Sequence, residues 1–96
     1  MEPIIELVSS GYGVYIAQTC MELYGDHISE LDSDDRETLL AGPDDPFYYE
    51  AYDNLLNNGR LTIDGTTYGF TTHEDGNLFA YAIDYEFPKN FWDNWF

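Results

Sequence analysis

Carboxylates are the most abundant chemically capable groups in this chain, so metal binding and acid–base catalysis are the first chemistries to weigh. Asp32, Asp34 and Asp35 lie close enough in sequence to suggest a calcium loop. Such a loop wants Asp at position 1, Asp or Asn at 3 and 5, Gly at 6 and Glu at 12. Counted from Asp32, the fifth and sixth residues are Arg36 and Glu37, and the template fails. A helix N-terminus explains the same acids. Zinc needs thiolates and imidazoles at paired spacings, and Cys20, His27 and His73 show none. Nucleophilic catalysis needs a hydroxyl or thiol beside an oriented base; no nucleophile-elbow or papain-like context surrounds either histidine. Gly11-Tyr12-Gly13 lacks the third glycine and the lysine of a phosphate loop. Carboxylate pairs suited to general acid–base work are bound to occur among so many acids, which makes them uninformative. The expectation is a chain that is not an enzyme and holds no metal or cofactor.

The charge itself is more informative. In 96 residues there are 19 acids against 3 basic residues, Arg36, Arg60 and Lys89, for a formal net charge of −16. A small domain needs a net charge of only about 2–8 in magnitude for solubility, and the excess opposes compaction by self-repulsion. The chain is nevertheless 44% hydrophobic and 18% aromatic, which excludes an acidic disordered segment and supplies one core. Direct nucleic-acid binding is excluded on charge, because it requires Lys and Arg to displace phosphate counterions. Anionic lipid surfaces repel such a chain, and no apolar run approaches the ~18 residues that span a bilayer. The start, MEPIIELVSS, lacks the basic segment of a signal peptide, and the single Cys20 permits no internal disulfide. A cytoplasmic location is expected.

The elements that must position these acids fall into two halves of one domain spanning 1–96, mainly helical over 1–59 and mainly strand over 60–96. From Val14 to Tyr24, the residues Ala17, Cys20, Met21 and Tyr24 make one helical face, stopped by Gly25. Asp32 or Ser33 caps a second helix that ends at Gly42-Pro43. Asp45-Pro46 opens a third, with Phe47, Ala51 and Leu55 as its inner stripe, widened by Tyr48, Tyr52 and Leu56, and Asn57-Asn58-Gly59 as its end. Asp64-Gly65 and Asp75-Gly76 are hairpin turns joining runs at 60–63, 66–73 and 77–87. In the last run Phe79, Tyr81, Ile83, Tyr85 and Phe87 alternate as an apolar face. The fold class is therefore α+β, with two or three helices packed on a three-stranded antiparallel meander. The short aromatic tail Phe91-Trp92-Asp93-Asn94-Trp95-Phe96 either caps the sheet or leaves Trp92 and Trp95 as an exposed docking or dimer patch.

Eleven of the acids lie between Glu22 and Asp53, on the helical half: Glu22, Asp26, Glu30, Asp32, Asp34, Asp35, Glu37, Asp44, Asp45, Glu50 and Asp53. About half of the chain's acids have a local reason as caps or turn residues. The near absence of Lys and Arg among them has none. Glu22 and Asp26 are i, i+4 partners if the first helix persists, and Glu50 and Asp53 are i, i+3; like charges so placed cost a few tenths of a kcal/mol each. Helix neighbours sit ~5–6 Å apart at Cβ, and DNA advances ~3.4 Å per charge along a strand, so such carboxylates imitate a row of phosphates. Tyr49, beside Glu50 and Asp53, is the expected exposed aromatic among them. The candidate partner-binding set is Glu22, Asp26, Glu30, Asp32, Asp34, Asp35, Glu37, Tyr49, Glu50 and Asp53, and the expected partner is a basic protein.

In charge, length and aromatic content the chain resembles the small acidic inhibitors that phages and mobile elements deploy against host defences, the anti-restriction and DNA-mimic anti-CRISPR proteins. That resemblance implies action in the host cytoplasm on a nucleic-acid-binding enzyme or CRISPR effector. It rests on no motif, so no residue role carries across. An immunity protein or antitoxin facing a basic toxin, and an acidic adaptor subunit leaning on the aromatic tail, are the alternatives from other classes.

Overall fold

The computed structural model describes residues 2–9, 15–73 and 76–95, the side chain of Trp95 excepted. Gly11-Tyr12-Gly13, the expected helix start at Val14, Asp75 of the second hairpin turn and Phe96 lie outside the described residues. Among those described, the order is β1 (Ile4–Val8), α1 (Ile16–Tyr24), a 3-10 turn (Gly25–His27) and β2 (Ile28–Ser29). Then come α2 (Ser33–Ala41), α3 (Tyr48–Asn58), β3 (Arg60–Ile63), β4 (Thr66–Thr72), β5 (Leu78–Ala82) and α4 (Phe91–Trp95). The fold is α+β, and its sheet has five antiparallel strands ordered β1-β5-β4-β3-β2 rather than three. The expected meander forms the middle of the sheet. The extra strands are edges: β1 beside β5, with a bulge between Glu6 and Val8, and the two-residue β2 beside β3.

One face of the sheet carries Ile28, Leu61, Tyr68, Phe70, Leu78, Ala80 and Ala82, all buried in the core. On that face α1 and α3 rest against β1 and β4, and α2 packs against both helices. The helices contribute Ile16, Ala17, Cys20, Leu39, Tyr48, Ala51 and Leu55, each at most 1% exposed. The β5 alternation thus runs opposite to expectation. Small Ala80 and Ala82 face the helices, while Phe79 and Tyr81 face the other way and are half-buried. Gly69, paired with Tyr81 across the strands, makes room there, since a Cβ on it would stand 2.7 Å from the Tyr81 ring. Trp92 meets the same ring edge-on at 5.6 Å, and Phe87 and Phe91 join it at 5.2 and 5.1 Å. The strand itself ends at Ala82 rather than Phe87, because Ile83 and Asp84 turn the chain and the Tyr85 N–H returns to the Ala82 carbonyl at 3.2 Å.

The ends of α1 and α3 fall at Gly25 and Gly59 as expected, while the start of α3 departs from expectation. α1 stops before Gly25, whose backbone keeps helical φ and ψ and tightens the chain into the 3-10 turn. Asp45-Pro46 forms a turn ahead of α3: the Asp45 carboxylate accepts the Phe47 N–H at 2.9 Å, and its carbonyl accepts the Tyr48 N–H at 3.1 Å. The inner stripe therefore starts at Tyr48, and Phe47 is left 63% exposed. Gly59 ends α3 in extended conformation, where a Cβ would stand 2.6 Å from the Leu55 carbonyl oxygen. The first hairpin turn behaves as expected, with positive φ at both Asp64 and Gly65.

Candidate functional site

The acidic face is positioned by how the three helices are tied to one another. Arg36, on α2, points inward. Its guanidinium donates to the carbonyls of Gly25 (2.9 Å), Leu31 (3.4 Å) and Ile28, joining α2 to the end of α1 and to β2. At the opposite end of α2, the Gln18 amide of α1 donates to the Leu40 carbonyl at 3.0 Å. The two helices are therefore antiparallel. Tyr48 of α3 reaches the first turn of α1, where its hydroxyl accepts the Gln18 N–H at 3.2 Å. This supplies a partner to one of the N-terminal donors that α1 leaves unpaired, since Tyr15 makes no side-chain cap there. Between α2 and α3, Asn54 donates to the Asp35 carboxylate at 3.2 Å.

With those ties made, the acids turn outward. Glu22, Asp26, Glu30, Asp32, Asp34, Glu37, Glu50 and Asp53 are exposed, and Asp35 is half-buried beneath Asn54. Because α1 ends at Tyr24, Asp26 belongs to the 3-10 turn, and its expected i, i+4 relation to Glu22 is not a helical one. Glu50 and Asp53 do share α3. Asp32 is the N-cap of α2 but its side chain accepts no capping hydrogen bond, leaving that carboxylate turned to solvent. Tyr49 is 58% exposed, with its ring edge-on to Tyr48 at 5.5 Å. Trp92 is half-buried in the aromatic cluster on the far side of the sheet; Trp95, its expected companion, has its side chain outside the described residues.

At the junction of β2 with α2, Glu30, Asp32, Asp35, Asn54, Asn58 and Arg60 line an open groove of about 630 Å³. Glu30 holds a left-handed backbone, φ 61°, a conformation uncommon outside glycine, asparagine and aspartate. Asn54 and Asn58 are four apart on α3 and were readable as a polar stripe beside buried Leu55. Nothing in the sequence places Arg60 there. Among the described residues no group of three or more His, Cys, Asp or Glu is arranged to hold a metal ion.

Three groups in the helical layer, Cys20, Tyr48 and Tyr52, hold their protons more tightly than usual. Burial pushes the Cys20 thiol up to about 12, which removes its nucleophilic thiolate. Burial likewise raises Tyr52 to about 12. Tyr48 is raised by burial too, against the opposing effect of the Gln18 N–H that its hydroxyl accepts. Among the described residues no helix is long and apolar enough to cross a membrane. In comparisons with protein families, curated proteins and solved structures, nothing matches this chain.

Proposed function

We propose that this chain is an inhibitor or binding protein that presents the outward face of α1–α3 to a basic nucleic-acid-binding protein, occupying the place of a DNA backbone. The single observation that carries this reading is the separation of charge. Between Glu22 and Asp53 eleven acids meet one cation, and that cation, Arg36, is turned inward onto backbone carbonyls. A helical layer built for stability alone would intersperse lysines to relieve i, i+3 repulsion. Neighbouring helix axes stand ~8–10 Å apart, so Asp34 and Glu37 on α2, Glu50 and Asp53 on α3 and the single Glu22 on α1 spread carboxylates over a surface rather than along one line. Such a surface attracts a basic groove over long range and accelerates association.

The test is capture from a prokaryotic lysate at about 0.05 M and about 0.5 M salt, conditions that change screening several-fold. Captured proteins are then identified and titrated with duplex DNA. The reading predicts nucleic-acid-binding partners that are released both by salt and by competing DNA. A partner that holds DNA and this chain at the same time contradicts the mimicry. A dedicated toxin as sole partner would instead support an immunity protein.

A further inference from the structure

Four large apolar side chains are exposed where the helical layer ends at the start of α1 and the α2–α3 connection. Tyr15 is 49% exposed, Leu40 46%, Phe47 63% and Tyr49 58%. The bonds from Gln18 to Tyr48 and Leu40 tie α1 to α3 and α2, and the Tyr49 ring stands edge-on to Tyr48. Asp44 and Glu50, both exposed, stand among them in sequence, and Asp45 anchors the turn that sends Phe47 outward. No basic residue lies on this connection, and Arg36 is engaged at the other end of α2.

Resting on the proposed basic partner, we infer that this aromatic corner is the docking point for arginine side chains of that partner. Charge decides the occupant. A second copy of the chain brings another −16 and is repelled. A purely apolar partner would bury the flanking carboxylates unpaired, which is strongly unfavourable. A guanidinium satisfies both features, stacking its plane on an exposed ring while donating two parallel hydrogen bonds to a neighbouring carboxylate. An ammonium does this poorly, being compact, strongly hydrated and unable to make the forked contact. The corner therefore discriminates arginine from lysine, which the acidic rows alone do not.

Oligo-arginine and oligo-lysine peptides of equal length, titrated calorimetrically at low salt into the intact chain, test this. Arginine is expected to bind about fivefold tighter or more, the scale of one or two exposed cation–π contacts. Replacing Phe47→Ala and Tyr49→Ala together should erase that preference while both peptides still bind; circular dichroism verifies that these exposed substitutions leave the fold intact. Equal affinity of the unsubstituted chain for the two peptides overturns the arginine corner and leaves the acidic-face reading standing. A preference that survives the double substitution overturns the assignment to Phe47 and Tyr49. Binding of neither peptide overturns both readings.

Discussion

The two faces of the sheet are covered by different means. On one, three helices lay down leucine, isoleucine and alanine against Leu61, Phe70 and Ala80, and turn carboxylates to solvent. On the other, Trp92 meets Tyr81 edge-on, and Phe87 and Phe91 pack against Trp92. The helical cover is held by directed contacts: a guanidinium on three carbonyls, a tyrosine hydroxyl at a helix start, a glycine against a carbonyl. The aromatic cover is held by ring contacts, which tolerate displacement. A charged face needs the first kind of support, because rows of like charge push their helices apart and only specific ties resist that.

Two glycines break one cover each, and their costs should differ. Gly59→Ala puts a methyl 2.6 Å from backbone and 2.9 Å from the Leu55 side chain, which cannot step aside. About 3 kcal/mol of destabilisation is expected, read by urea denaturation. Gly69→Ala meets the outer atoms of the Tyr81 ring, which can swing away, so about 1–2 kcal/mol is expected, with a changed Trp fluorescence spectrum as Trp92 loses its neighbour. Equal costs would mean that the two covers are equally rigid.

Arg36→Ala should fall between the two glycine substitutions, at about 2–3 kcal/mol, because charge-assisted bonds to three carbonyls are lost together. Arg36→Lys should recover only part of this, since an ammonium cannot reproduce the fork. Full recovery would show that charge, and not geometry, holds α1 to α2.

How much of this was readable depended on whether local or distant residues decided the outcome. The cores of α1 and α3 followed from periodicity, α2 from its capping acids and the Gly42-Pro43 stop, and the Asp64-Gly65 turn from its residue pair. The strand β2 has two residues and exists only because β3 lies beside it, so no pattern marks it. In β5 the alternating large residues suggested one apolar face, yet the helix-facing side of that strand holds Leu78, Ala80 and Ala82, while Tyr81 on the other side is covered by Trp92 and Phe79 meets His73 edge-on. Phe47 fitted the α3 stripe by spacing, but the Asp45 side chain bonds its N–H and delays the helix. The acids were visible by count; that Arg36 faces inward, leaving them uncompensated, depends on carbonyls from three separate positions.

A smaller effect should appear at alkaline pH. Cys20 and Tyr52 have ordinary values of 9.0 and 10.0, and the fold raises both to about 12. The folded state therefore holds these protons more tightly than the unfolded chain. That stabilisation is complete below pH 9.0 and is lost as pH climbs from there toward about 12. Tyr52→Phe should flatten the upper part of the decline in melting temperature, and an unchanged slope would contradict the assignment. The smallest effect on stability is expected from Glu50→Lys and Asp53→Lys, each within about 0.5 kcal/mol and toward greater stability, as repulsion on α3 is relieved.

The central claim, that the arrangement of acids on the helical face and not net charge alone makes the binding surface, is tested by a charge-matched pair of variants. One carries Glu22→Lys, Asp26→Lys, Glu50→Lys and Asp53→Lys; the other carries Glu6→Lys, Asp84→Lys, Glu86→Lys and Asp93→Lys, on β1 and the C-terminal segment. All eight positions are exposed, and each set moves the formal net charge from −16 to −8. Affinity for the captured nucleic-acid-binding partner at low salt should fall at least about a hundredfold, a loss of about 3 kcal/mol, in the first variant, and only a few-fold in the second. Equal losses in the two variants, or undiminished binding by the first, would contradict the account.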